Sequence, residues 1–138
     1  MHLTNQVMAT TEAFMDFIQN YPSQTPLVML NILKFKERTE DDQETGEEAY
    51  NRYALNVAPL LAMVGGKVLW AGNVQRTLIG DLEISPDRIL AVYYPSKEAF
   101  VEMATSDAYA KIGGDREKAL TYGGLLVTET MDFISNPK

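Results

Sequence analysis

Apolar side chains fill nearly every position of residues 26–36, Pro-Leu-Val-Met-Leu-Asn-Ile-Leu-Lys-Phe-Lys. A half-exposed strand alternates apolar and polar residues, so this run predicts a central strand covered on both faces. Asn31 is the one interruption. A buried amide left without partners costs about 1 to 3 kcal/mol, so a neighbouring side chain, a water or a ligand must satisfy it. Residues 88–94 repeat the two-sided pattern through Ile89, Leu90, Ala91 and Val92, and Pro95 closes them. They predict a second central strand.

Between and around these strands the apolar period lengthens to that of a helix. From Thr10 or Thr11 as N-cap, Phe14, Phe17, Ile18 and Tyr21 share one face until Pro22 stops the pattern. Thr45 and Glu48 form a capping box that starts a helix at Gly46, and Tyr50, Tyr53, Val57, Leu60, Leu61 and Val64 trace its buried face. Pro59 lies within it, which predicts a kink or break near Ala58. Gly65 and Gly66 end that helix, and residues 67–71 begin a strand holding the only tryptophan, Trp70. Gly72, Asn73 and Gly80 suggest bulges or a long hairpin arm, with the turn at Ser85, Pro86 and Asp87. Ser96 caps a helix from Lys97, and residues 105–107 cap a second segment that Gly113 and Gly114 break. Asp115 is expected to cap a last piece reaching Tyr122, after which Gly123 and Gly124 lead into a strand over residues 125–131.

Strand, helix, Gly-Gly, strand thus occurs twice, and two such βαβ units predict an α+β, ferredoxin-like βαββαβ sandwich. Right-handed crossovers give the strand order 4-1-3-2, which puts the two doubly apolar strands in the middle. Residues 1–138 form one domain, with residues 1–25 as an N-terminal helical extension and 26–132 as the core. Helices cover one sheet face. The other is apolar too, and a monomer rarely exposes so large a patch, so a face-to-face homodimer, a dimeric α+β barrel, is expected.

Composition narrows the functional classes. The absence of cysteine excludes disulfides, thiolate nucleophiles and cysteine-ligated metal centres. A formal net charge of -7 without any Lys/Arg cluster argues against nucleic acid as a partner. Residues 1–10 show neither a basic nor an apolar leader segment, and no stretch reaches membrane-spanning length, so no membrane partner and a cytoplasmic location are expected. Seven acidic residues between 37 and 48 lack EF-hand spacing and read as a solvated loop. No metal site and no cofactor are expected.

Taken together, several stretches resemble the domain-of-unknown-function family numbered 1330, within the dimeric α+β-barrel superfamily. They are residues 31–36, 49–53, 57–61 and 65–72, then Tyr94, Pro95 and Ser96 with Phe100, and Asp107 and Tyr109 with Arg116. The resemblance covers roughly residues 27 to 131. The family usually opens its third strand with Trp-Asp, where this chain has Pro86-Asp87. The wider superfamily includes cofactor-free monooxygenases, isomerases and dehalogenase-like or haem-degrading proteins, many with a pocket between sheet and helices.

The candidate catalytic residues are therefore Asn31, Arg116 and Tyr53, and the candidate substrate-binding residues Trp70, Tyr93 and Tyr50. Asn31 orients a ligand carbonyl or else satisfies a nearby backbone group. Arg116 anchors a carboxylate or enolate through its rigid fork, or else pairs with Asp115 or Glu117 at the surface. The aromatic residues line a pocket with polar tips or are simply core. Strand alternation leaves open whether Tyr93 or Tyr94 faces the helices. A single histidine, His2, at the terminus leaves no Ser-His-Asp triad to assemble. Two readings follow: a cofactor-free enzyme, monooxygenase- or isomerase-like, on a small carbonyl or aromatic compound, or a non-catalytic small-molecule-binding or structural homodimer.

Overall fold

In the computed structural model, which describes residues 6–81 and 85–131, the strand over residues 26–36 becomes β1 (Leu27–Phe35). It lies between β3 (Arg88–Tyr94) and β4 (Leu120–Thr128), and β2 (Lys67–Asn73) pairs the far side of β3, giving the order β2-β3-β1-β4. All three pairings are antiparallel. The predicted order 4-1-3-2 is the same sheet read from its other edge. The register is set by burial: Leu27, Met29 and Leu33 are almost fully enclosed, so the odd-numbered side chains of β1 face the helices. Across the strands, Tyr94, Val92 and Leu90 stand opposite Leu27, Met29 and Asn31 and share that face.

The helices follow the caps. Thr10 accepts from the Ala13 N–H at the start of α1 (Thr11–Asn20), and Thr45 and Glu48 complete the capping box of α2 (Gly46–Met63). Ser96 and Ser106 cap α3 (Lys97–Ala104) and α4 (Asp107–Ile112), and α5 (Gly114–Ala119) leads directly into β4. Gly65, at φ +81°, turns the chain after α2 in a conformation that side chains disfavour.

Three expectations are corrected. No break interrupts α2 at Ala58: the helix continues through Pro59. Pro59 and Leu55 are on its exposed side, where water can take the carbonyl that the proline leaves without a donor. The last helical piece stops at Ala119 rather than Tyr122, and β4 starts at Leu120 and ends at Thr128. Gly123 and Gly124 accordingly lie inside a strand. A Cβ at Gly123 would stand 2.7 Å from the Leu120 side chain and 3.0 Å from the Arg116 guanidinium, so this glycine serves close packing rather than helix termination. The bulge expected around Gly72 falls instead between Val68 and Trp70. His2 lies outside the described residues.

The acidic segment is less solvated than its composition suggests. Arg52 reaches both oxygens of Glu44 at 2.8 and 2.7 Å and both of Asp115 at 3.0 and 2.9 Å, joining this loop to α2 and α5. The Arg52 hydrogen bond is the main reason the Glu44 carboxyl is lowered to about 2. Arg88 similarly holds the start of β3 to α2 through Glu47 at 2.7 Å and Asn51 at 3.0 Å.

Helix α1 buries none of its residues fully, and its docking depends on a few contacts. Phe17 meets the Phe100 ring edge-on at a centroid distance of 5.9 Å. Lys97, only 7% exposed, donates from Nζ to the Ile18 and Tyr21 carbonyls, groups that the helix end leaves without intrahelical donors. Lys97→Met keeps the apolar stem but strands both carbonyls. Urea unfolding should show a loss of about 1–3 kcal/mol, whereas unchanged stability would mean that α1 docks through its aromatic contacts alone.

Candidate functional site

Helices α1, α2 and α3 do not close fully on the sheet. The core divides into one cluster around Leu27, Met29, Leu61, Val92, Tyr94 and Met103 and another around Leu33, Ala49, Tyr50, Tyr53, Ala119 and Leu120. A half-open cleft of about 1120 Å³ runs along both, floored by β1, β3 and β4 and edged by residues 6–10 and α1. Its volume lies just above the usual range for small-molecule sites, and its wall is mainly apolar with a few polar groups.

Asn31 projects into this cleft between Leu90 and Leu125, its neighbours across the strands. Neither leucine can pair an amide, and no described residue hydrogen-bonds the Asn31 side chain. The same holds for the hydroxyls of Tyr50 and Tyr94, although both residues are buried. No buried side-chain polar atom is sealed off without a partner among the described residues, so these groups keep an opening onto the cleft. Tyr53 and Tyr109 share a hydrogen bond between hydroxyls at 2.8 Å. One hydroxyl donates within that pair, and the other retains its proton for a third group.

Arg116 reaches the cleft from α5. Its Nη1 donates to the Val7 carbonyl at 2.7 Å and its Nη2 to the Gly123 carbonyl at 3.1 Å, while Gly123 N–H donates to the Gln6 carbonyl at 2.9 Å. These bonds hold residues 6–7 along β4. No described carboxylate lies within ion-pairing distance of Arg116, because Asp115 is engaged by Arg52. The surface pairing considered for Arg116 is therefore replaced by a half-buried cation with backbone partners.

This cation and the phenols act on one another. Burial pushes the ionisation of Tyr50, Tyr53 and Tyr94 above its ordinary value; the neighbouring Tyr109 adds to the rise and Arg116 opposes it. All three remain neutral at physiological pH. They can donate hydrogen bonds to an oxygen that carries or gains negative charge, and the phenolate that would remove a proton is scarcely populated. Among the described residues, Glu117 is the one carboxylate on the cleft wall. Among the described residues, no cluster of three or more His, Asp or Glu side chains is placed to hold a metal ion.

Of the candidate residues, Asn31, Tyr50, Tyr53 and Arg116 line the cleft, and Trp70 and Tyr93 do not. Val68 pairs Val92, and regular alternation would have set Trp70 opposite Leu90 on the helix side. The bulge at Leu69 instead sets Trp70 opposite Ala91, turning it onto the open face with 57% of its surface exposed. Tyr93 faces the same way, its ring 5.9 Å from the Lys67 amine, because Tyr94 packs inward opposite Leu27. Tyr94 and Tyr109 are the members that the sequence candidates lacked. Strand alternation offered Tyr94 as the substitute for Tyr93, and Tyr109 lies in one of the stretches that carry the family resemblance.

Comparison with known proteins agrees with this geometry. Residues 42–130 match the family described as a domain of unknown function, DUF1330, a span that begins after β1. A crystallised protein of unknown function from Rhodopseudomonas palustris is 31% identical and superposes with a TM-score of 0.87, covering 94% of this chain and 99% of its own. A dimeric protein of unknown function and ferredoxin-like fold from Bacteroides fragilis aligns at 10% identity and TM-score 0.53, over 79% of this chain and 100% of its own. The hydroxynitrile lyase from Passiflora edulis aligns at 8% identity and TM-score 0.58, over 79% and 96%. At these last identities the likeness concerns the fold. No curated protein matches the chain.

The phenols make a pH prediction. Their ionisation is raised in the folded state, so between the ordinary value of 10.0 and the raised one the unfolded chain holds fewer protons than the folded protein. Stability is therefore intact below pH 10 and falls as pH climbs beyond it. Ultraviolet titration should show Tyr50, Tyr53 and Tyr94 ionising above the ordinary value, in step with unfolding. A single smooth titration of all the tyrosines would contradict the burial of the cleft hydroxyls.

Proposed function

The chain belongs to the DUF1330 family, a domain of unknown function, and on that premise we propose a cofactor-free enzyme, isomerase- or monooxygenase-like, acting on a small carbonyl or aromatic compound. The observation that carries this reading is a set of polar groups on the wall of an otherwise apolar cleft: the Asn31 amide and the Tyr50 and Tyr94 hydroxyls, which have no protein partner, and the Arg116 cation, whose partners are backbone carbonyls. Such groups suit an oxygen on which negative charge develops, as in an enolate, and a low-dielectric wall strengthens each contact. Asn31 and Arg116 hold that charge, Tyr53 with its partner Tyr109 donates a hydrogen bond to the same oxygen, and Tyr50 orients the substrate. Because the phenols stay protonated, Glu117 is the group on the wall best suited to take a proton.

The scarcity of bases supports a second reading, a binding protein without turnover, in which the same donors hold a ligand oxygen and nothing is abstracted. In either reading the chain works as a homodimer joined through the sheet face that bears Trp70, Tyr93 and Leu126. Trp70 and Leu126 are 57% and 51% exposed there, and the strands beneath them are apolar. The Bacteroides fragilis protein of this fold is described as dimeric, which fits such an assembly. A chain without cysteine suits the cytoplasm, and no described helix is long and apolar enough to cross a membrane.

Turnover of a panel of carbonyl and aromatic compounds, followed by oxygen consumption and by exchange of the proton beside the carbonyl, separates the two readings. If the protein is an enzyme, Asn31→Leu should remain folded and lose about 10²–10³-fold in kcat. Compounds that bind but never turn over would leave the binding reading. Sedimentation at micromolar concentration should give a dimer that Leu126→Lys weakens; a stable monomer would remove the sheet-face assembly.

A further inference from the structure

The cleft is much larger than a small carbonyl compound requires, and its two ends differ. One end holds the polar groups, with Tyr50, Tyr53 and Tyr109 on the helix side and Asn31 and Arg116 beside them. At the other end Met29, Val92 and Leu61 form a floor and wall with Phe17 and Phe100 above them, apolar apart from the hydroxyl of Tyr94, whose ring packs on Phe100. Val57 and Leu90 pack against both clusters and give the two ends a continuous apolar wall.

The charge on this wall also departs from that of the protein. The chain carries -7, yet among the described residues the ionisable side chains on the cleft wall, apart from the phenols, are Arg116 and Glu117, because the Lys67 amine lies over Tyr93 on the open sheet face, so the wall carries no net charge. Arg116 gives donors to the Val7 and Gly123 carbonyls and has others left over, since a guanidinium carries five N–H groups. Carbonyl oxygens do not neutralise it. Asn31 and the neutral phenols add further donors, so the polar end is rich in donors and short of negative charge.

Resting on the reading of this cleft as a small-molecule site, we propose that its ligand is an amphipathic monocarboxylate. The carboxylate lies against Asn31, Arg116 and the tyrosine hydroxyls, and an unbranched acyl chain runs along Met29 and Val92 beneath Phe17 and Phe100. Two acceptor oxygens with one negative charge meet the donors and the cation together, which an alcohol or an amine does not. The apolar end then has a tail to cover it, which a short acid lacks. Residues 6–7 and α1 lie over the same channel, so the strap that Arg116 holds on β4 forms part of the binding wall.

Calorimetric titration of the wild-type protein with dodecanoate, octanoate, butanoate and dodecan-1-ol, each below its aggregation limit, tests this. Dodecanoate should bind saturably with one molecule per chain, and each methylene lost on shortening the acid should cost about three- to fourfold in affinity. Dodecan-1-ol should bind at least tenfold more weakly than dodecanoate. Arg116→Gln should bring the acid and the alcohol closer together. If that variant does not fold, because the strap is lost, Tyr50→Phe provides the same comparison without touching the strap and should lower dodecanoate affinity severalfold. Equal affinity for acid and alcohol, or no dependence on chain length, would overturn the proposal. If short ketones or aromatic carbonyl compounds bind in the cleft while no carboxylate does, this inference fails and the broader reading stands. If none of these compounds binds, both fail.

Discussion

An amide on the covered face of a central strand cannot turn away from its surroundings. The enclosure of Leu27, Met29 and Leu33 holds the register of β1, and a shift by one residue would bring all three to the other face. Asn31 shares their parity and is carried inward with them. Its neighbours across the sheet are Leu90 and Leu125, neither of which offers a hydrogen bond. Packed like the rest of the core, this position would cost more than a single amide normally contributes to stability. The fold avoids that cost by leaving the two core clusters apart at this point, and the cleft is the result.

Electrostatics then gives the cleft a direction. Arg116 has no carboxylate partner among the described residues and is held by the Val7 and Gly123 carbonyls, an arrangement that fixes the guanidinium while keeping its charge. The absence of a side chain at Gly123 lets that guanidinium approach β4. The phenols around it stay protonated because burial penalises their anions more than the nearby cation favours them. A group of donors facing an apolar channel suits an acceptor oxygen on a mostly apolar molecule. Elsewhere in the protein, charges are neutralised in pairs and networks, as at Arg52 and Arg88.

Much of this was legible from residue patterns. Two-sided apolar runs identified β3 with its observed bounds and β1 to within one residue at each end, and the capping residues located the starts of α1, α2, α3 and α4. Asn31 stood out because it was the one polar residue in an apolar run. The misreadings share a cause, since each depended on tertiary contacts that leave no local periodic signal. A single inserted residue at Leu69 reversed Trp70. Gly123 and Gly124 looked like a helix stop because the packing of Leu120, Tyr122 and Arg116 around them is not written in neighbouring positions. Pro59 is tolerated because its face of α2 is exposed, a property of the folded protein rather than of the dipeptide.

The central claim is that the unpaired groups of the cleft converge on one ligand oxygen, and a high-resolution crystal structure with a bound carboxylate or carbonyl compound tests it most directly. The account predicts an oxygen of that compound within hydrogen-bond distance of the Asn31 amide and of the Tyr50 or Tyr94 hydroxyl, with Arg116 still bonded to Val7 and Gly123. A compound seated elsewhere, with the Asn31 amide bonded to a protein backbone group and the cleft closed by α1, would contradict it.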